Sequence, residues 1–253
     1  MAEALTPLNL GGLRIQTVQQ KQNYLNMLVY GDPGEGKTVL AGSADEVPEM
    51  RPVLIVDVEG GTRSISERNP EVHVVRVLTW KELQKVYDEL QSGRTDYRTV
   101  VLDSLTEIQK FSMYQIMEDL VRKEPERDPD IPSVREWGKN IEQIRRLVRG
   151  FRDLEMNVIF TALAKGDRNP KTGVTKNKPY LSGKLADEVA GFLDIVGYLY
   201  SKVDAVNGEE KTVRRLLTQK TEEYVAKDRT ARLPTPVVEE PTMKKLYEYI
   251  LAP

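Results

Sequence analysis

Cysteine is absent from the 253 residues, and histidine occurs once, as His73. Without thiols there is no disulfide framework, thiolate metal site or cysteine nucleophile, and one imidazole cannot build a histidine metal cluster. His73 falls in a strand-like run and reads as an ordinary strand residue. Long apolar runs are missing too. None approaches the roughly 20 residues that span a bilayer, and Met1-Ala2-Glu3-Ala4 has neither the basic nor the apolar region of a secretory leader. A soluble, cytoplasmic protein with no membrane partner is expected. Excess charge is also lacking, since 37 Lys and Arg against 39 Asp and Glu leave a net charge of -2. Contact with a polyanion must therefore come from a local basic patch. The 40% hydrophobic content suffices for the core of one α/β domain covering residues 1–253.

What is present is concentrated in one octet, Gly31-Asp32-Pro33-Gly34-Glu35-Gly36-Lys37-Thr38, which fits G-x-x-x-x-G-K-[ST]. An apolar run, residues 24–30, precedes it, and a helical stretch opening with Val39 follows. Strand, glycine-rich loop and helix are the context this motif needs. The glycines let backbone N–H groups turn inward around a phosphate, and the positive end of the following helix adds to the attraction. Lys37 then reaches the β- and γ-phosphates, and Thr38 offers its hydroxyl to Mg²⁺. ATP with Mg²⁺ is the expected ligand pair; an accidental glycine-rich turn would lack the flanking elements.

Short β-branched runs alternate with longer amphipathic ones, which predicts a mainly parallel β-sheet flanked by helices, with antiparallel strands near the C-terminus. Strands are expected near 24–30, 53–57, 73–77, 99–103, 157–163, 194–200, 213–219 and 223–226. Helix starts are marked by capping-box spacings at Thr79/Glu82, Ser104/Glu107 and Ser133/Glu136, and a helix is expected within 236–253. Residues 122–132 and 164–183 read as loops, rich in charge, Pro, Gly and Lys. Residues 1–22, with Leu8, Leu10, Leu13, Ile15 and Val18, form an extension that either covers its own core or acts as an inter-subunit arm.

Two predicted strands end in acids at the edge where open α/β sheets hold their ligands. Asp103 closes the run 98–103 and is the metal-site carboxylate, beside Thr38. Glu59 follows Asp57-Val58 and either activates the attacking water or belongs, with Gly60-Gly61, to an ordinary turn. Thr161, at the end of its strand, is a γ-phosphate sensor or a buried strand threonine.

These residues carry a resemblance. Asp103-Ser104 and Asp57-Val58-Glu59 resemble the matching strand ends of RecA-type recombinases, which implies that Glu59 is the water-activating residue. The string Tyr224-Val225-Ala226-Lys227-Asp228-Arg229 is similar to the K-x-R element of replicative hexameric helicases and circadian-clock ATPases, which reaches a neighbour's γ-phosphate. That implies catalytic roles in trans for Lys227 and Arg229, two residues apart on one strand face. Residues 23–235, with Pro179-Tyr180-Leu181-Ser182-Gly183-Lys184, resemble the minimal RecA-like ATPases of bacteriophages in the Sak-type single-strand annealing group. The resemblance implies a RecA-like P-loop ATPase core and ATP-dependent binding of single-stranded DNA for annealing or recombination. It also implies a homo-oligomer, often beside a single-strand-binding protein, in the cytoplasm of the bacterial host. Neither a separate polymerisation domain with an F-x-x-A tether nor a DNA-gating domain is apparent.

The DNA contact is expected in the 164–183 loop, where Lys165, Arg168, Lys171, Lys176, Lys178 and Lys184 face one acid, Asp167. Tyr180 is its only aromatic for base stacking. A solvated lysine loop is the plainer alternative. The spacing of Arg145, Arg149 and Arg152 gives a basic helical stripe that favours a solvated face or subunit contact over DNA. Rival functions are a ring helicase or loader ATPase, a nucleotide switch that never touches DNA, and a metabolite kinase. No N-K-x-D guanine-reading motif occurs, which favours ATP over GTP.

Overall fold

The computed structural model describes residues 9–11, 13–14, 24–168, 170–206 and 209–250. Among the described residues, strands β1 (Asn9–Leu10) and β2 (Leu13–Arg14) pair with each other and stand apart from the main sheet. Apart from Gly11 between them, the rest of the 1–22 extension lies outside the described residues.

The main sheet is built on β3 (Asn26–Gly31), β4 (Val53–Asp57), β5 (His73–Arg76), β6 (Thr99–Asp103) and β7 (Asn157–Arg168). It is completed by β8 (Thr175–Pro179), β9 (Ile195–Val206), β10 (Glu209–Leu217), β11 (Lys227–Asp228) and β12 (Val237–Glu239). The order is β12-β10-β9-β3-β7-β6-β4-β5, with β11 against β9 and β8 against β7. The run from β5 to β9 is parallel, and β8, β10, β11 and β12 are antiparallel additions. The expected fold class, a mainly parallel sheet flanked by helices with C-terminal antiparallel strands, is therefore what forms.

Because side chains alternate along a strand, each central strand serves two apolar layers. Leu28 and Tyr30 of β3 face one layer, with α2 (Trp80–Gln91), α3 (Leu105–Val121), α4 (Val134–Arg152) and α5 (Leu185–Phe192). Met27 and Val29 face the other, with α1 (Lys37–Gly42) and α6 (Met243–Ile250). Strands β4 and β6 are buried at every position, which is why they read as continuous apolar runs. At the end of β3 the chains approach so closely that a Cβ on Gly31 would lie 2.3 Å from the Leu199 carbonyl oxygen of β9.

Three expectations need correction. Residues 164–168 pair antiparallel with 175–179 as a β-hairpin, in which Lys165 is opposite Lys178 and Arg168 opposite Thr175. The chain at 223–226 is not a strand; pairing with β9 begins at Lys227. Ser133 and Glu136 do form a capping box, and Thr79 accepts from Glu82 N at 3.2 Å, but Ser104 makes no side-chain cap. Its hydroxyl is used elsewhere.

Candidate active site

The phosphate loop leaves β3 at Gly31 and enters α1 at Lys37. Gly34 and Gly36 adopt φ of 86° and 88°, a left-handed conformation that costs side-chain-bearing residues about 1 kcal/mol or more. A Cβ on Gly36 would also lie 2.9 Å from the Arg214 guanidinium carbon. The loop crest, Asp32, Pro33 and Gly34, is exposed, while Lys37 is buried. Its ammonium donates to the carbonyls of Gly31 at 3.0 Å and Asp32 at 2.9 Å. Burial lowers its pKa, opposed by the nearby carboxylates of Glu59, Asp103, Asp32 and Glu35.

The parallel order places β7 between β3 and β6, and this sets the chemistry at their C-terminal ends. Thr38 donates its hydroxyl to Asp103 Oδ2 at 2.7 Å. Thr161, fully buried on β7, donates to the other oxygen, Asp103 Oδ1. Asp103 is thereby held from both sides at 3% exposure. A hydroxyl and a single carboxylate at the mouth of a phosphate loop fit Mg²⁺, which keeps several waters and takes the rest of its ligands from phosphate oxygens. Among the described residues no group of three or more His, Cys, Asp and Glu forms a metal cage, and a Mg²⁺ site of this kind needs none.

Glu59, exposed just beyond β4, accepts a hydrogen bond from the Ser104 hydroxyl. This contact joins the ends of two strands across 45 positions. Asp57 is the turn's organiser: its Oδ1 accepts from Glu59 N at 3.1 Å and Gly60 N at 2.6 Å, and pairs with Arg76 at 3.0 Å. Glu59 thus has a fixed backbone and a tethered carboxylate.

Tyr30, one residue before the phosphate loop, carries a function the sequence does not announce. Its hydroxyl contacts the carbonyls of Asn177 at 3.1 Å and Val225 at 2.8 Å, and accepts from Val225 N at 3.1 Å. The phosphate strand, the 164–179 hairpin and the stretch leading to Lys227 therefore meet at one phenol.

The Lys227 ammonium donates to the carbonyls of Ala190 at 3.0 Å and Leu193 at 2.8 Å, closing the C-terminal end of α5. Arg229 donates to Asp194 Oδ1 at 2.8 Å and Gly191 O at 2.9 Å. Both K-x-R side chains do share one side, and that side is their own α5.

Within the hairpin, Lys178 pairs with Asp167 at 2.8 Å and Lys176 with Asp187 at 3.8 Å. Lys165 lies over the Tyr180 ring at 4.9 Å, Lys171 is in the turn, and Lys184 is exposed at the start of α5. Strand alternation puts Lys165, Lys176 and Lys178 on one face and Arg168 on the other. The α4 arginines are occupied: Arg145 bonds Glu142 and Glu188, Arg149 covers the Phe192 ring at 4.4 Å, and Arg152 pairs with Asp153. Two of the three fasten α4 to α5. His73 contacts the Tyr97 hydroxyl at 2.9 Å on an edge strand. No helix among the described residues is long and apolar enough to cross a membrane.

Residues 23–230 match the AAA_24 family, described as an AAA domain. No curated protein matches the chain. Among solved structures, the crystal structure of the RadB recombinase is 18% identical, over 77% of this chain and 81% of that one, with a TM-score of 0.45. A prototypical ATPase from the type III secretion system of pathogenic bacteria is 16% identical, over 69% of this chain and 50% of that one, with a TM-score of 0.43.

Proposed function

The chain belongs to the AAA_24 family of AAA domains and folds as a RecA-like P-loop ATPase; from that premise we propose that it hydrolyses ATP with Mg²⁺ while bound to single-stranded DNA. The reading extends to annealing or recombination by a Sak-type phage protein, with ATP held between subunits of a homo-oligomer and a single-strand-binding protein as partner.

The observation that carries the hydrolytic part is the paired array at the strand ends, Thr38–Asp103–Thr161 and Ser104–Glu59. Residues 31–39 cradle the triphosphate and Lys37 counters its charge. Thr38 and Asp103 would hold Mg²⁺, which would supply neutralisation of the triphosphate charge. Glu59, oriented by Ser104, takes the proton of the attacking water. Thr161 acts through Asp103, so its part is positioning the metal carboxylate rather than touching phosphate. Arg229 completes a neighbour's site, with Lys227 fixing the strand that carries it. Support for DNA comes from the lysine face of the hairpin and its connection through Tyr30 to the phosphate strand.

The test is steady-state ATP hydrolysis with and without a dT oligonucleotide, with Lys37→Ala as the blank. Expected is activity absent in the variant and raised several-fold by the oligonucleotide. A wild-type rate equal to the blank overturns the ATPase, and an unchanged rate with oligonucleotide overturns the DNA coupling.

A further inference from the structure

We propose that a cleft between α3, α4 and the segment following β8 seats a base of single-stranded DNA, stacked among Tyr114, Trp137 and Tyr180. The inference rests on the DNA reading above and says where a base goes. Sequence reading found one aromatic for this purpose; folding brings two more to it. All three are exposed, Tyr114 by 60%, Trp137 by 40% and Tyr180 by 44%. They line a cleft of about 250 Å³ whose floor carries Thr106, Gln109 and Ser182. That is smaller than the roughly 300–1,000 Å³ of a small-molecule pocket, and rings beside amide and hydroxyl groups suit a planar base with polar edges.

Two observations favour a nucleic-acid occupant. Lysines flank the rings: Lys165 lies over Tyr180 at 4.9 Å, and Lys110 stands at the rim, paired with Glu107 at 2.6 Å. Tyr114 is also the wall of a second recess of about 490 Å³ that runs on along α3 past Met117 and Val121; Glu118 and Asp130 offset Arg122 there, so it extends the apolar footing for a base and adds no positive charge for phosphate. Adjoining recesses sharing a ring suit successive units of a polymer.

The floor is rigid. Gln109 Nε2 donates to Asn140 Oδ1 at 2.8 Å, Asn140 Nδ2 returns to Gln109 O at 2.9 Å, and Ser182 N donates to Gln109 Oε1 at 3.0 Å. The cleft also lies close to the chemistry. Thr106 accepts from Leu163 N at 3.1 Å and donates to Tyr180 O at 3.3 Å, and stands in the first turn of α3, two residues after Ser104, which tethers Glu59. A base in the cleft presses on the element that orients the water-activating carboxylate.

The experiment is fluorescence anisotropy of a labelled dT oligonucleotide with wild type, Trp137→Ala and Trp137→Phe, each checked by thermal unfolding. Loss of one stacked base weakens binding roughly 5- to 160-fold. That loss is expected for Trp137→Ala, with Trp137→Phe within about threefold of wild type. Because Trp80 is only 7% exposed, the oligonucleotide should quench mainly Trp137 emission. If wild type binds and Trp137→Ala binds equally well, the cleft assignment fails while the DNA reading stands. If wild type itself does not bind, both fail. If Trp137→Ala instead breaks up the oligomer by light scattering and leaves DNA affinity intact, the cleft belongs to a neighbouring copy, using the exposed Ile131 and Val134, and the proposal is overturned.

Discussion

Ser104 sits where a helix N-cap belongs, yet gives its hydroxyl to Glu59 instead of to α3. An N-cap bond is worth about 1 kcal/mol, so its diversion implies a use for Glu59 in a fixed orientation. Two variants separate the roles. If Glu59 is the proposed base, Glu59→Gln should lower kcat by roughly 10² to 10⁴, with ATP binding retained. Ser104→Ala frees a carboxylate that is still present, and should lower kcat by about tenfold while KM for ATP hardly moves; an unchanged kcat would remove the positioning role. Gly36 faces a different demand. Alanine there meets both a φ of 88° and the Arg214 guanidinium, so the loop must deform. Gly36→Ala should lose nucleotide affinity by calorimetric titration, whereas the same change at Gly93, also at positive φ but with nothing within 4 Å, should cost only about 1 kcal/mol of stability.

At the scale of elements, the hairpin of β7 and β8 is less free to meet phosphate than its composition implies. Asp167 and Asp187 already engage Lys178 and Lys176, and Lys178 holds the Asp167 carboxyl below its ordinary pKa. If Lys165 on the lysine face and Lys184 supply the contacts, a slope near -0.7 each gives about a 7-fold affinity loss between 50 and 200 mM salt. Four contacts would give about 50-fold. Asp167→Asn frees Lys178 and should steepen the slope by about one contact; a flat response in both proteins would remove the hairpin from the DNA site. The turn after β11 gives a pH prediction. Burial raises the Asp228 pKa, but donors from Thr230, Leu233 and Arg232 outweigh it and the net shift is downward. A carboxylate depressed in the folded state stabilises fully above its unfolded pKa, near 3.9, and that stability is lost as pH falls through the lower folded value. Asp228→Asn should therefore lower Tm at neutral pH and narrow its gap from wild type under strongly acidic conditions. These elements also show what the sequence could reveal. The phosphate loop and the buried strands β4 and β6 were legible, because spacing and apolar runs are local. The hairpin was not, because Lys165-Gly166-Asp167-Arg168 has no apolar alternation, and its order comes from β8 and the Tyr30 hydroxyl. Val225 and Ala226 looked like a strand, yet Val225 spends its N–H on Tyr30 and Asn177. The Ser104–Glu59 contact spans 45 positions and has no local signature.

For the whole molecule the question is whether one copy completes another's site, and the energies of the K-x-R side chains separate them. Lys227 has three backbone carbonyls within 3.4 Å and closes α5, so withdrawing it would uncap a helix that packs against α4. Arg229 is held by one backbone carbonyl, Gly191 O at 2.9 Å, and by an ion pair with Asp194, their side chains 52% and 29% exposed, and such surface pairs contribute only about 0–1 kcal/mol. An arginine finger contributes roughly 10³ to 10⁵ in rate, or about 4 to 7 kcal/mol. That figure is a lowering of the barrier and says nothing of ground-state binding; what the geometry gives is that releasing Arg229 from its exposed pair costs little, whereas releasing Lys227 uncaps α5. Lys227→Ala should lower Tm, and Arg229→Ala should leave Tm within a degree or two but remove most ATP hydrolysis. Each of Arg229→Ala and Lys37→Ala alone should then be inactive. Mixed in equal amounts, they form interfaces in which an intact phosphate loop faces an intact Arg229, and activity should reappear. Recovery to about a quarter of wild type is expected if subunits mix at random, since an active interface needs one particular partner on each side. No recovery at any ratio, with subunit exchange confirmed by light scattering of tagged copies, would confine Arg229 to its own chain and make it, like Lys227, a brace for α5.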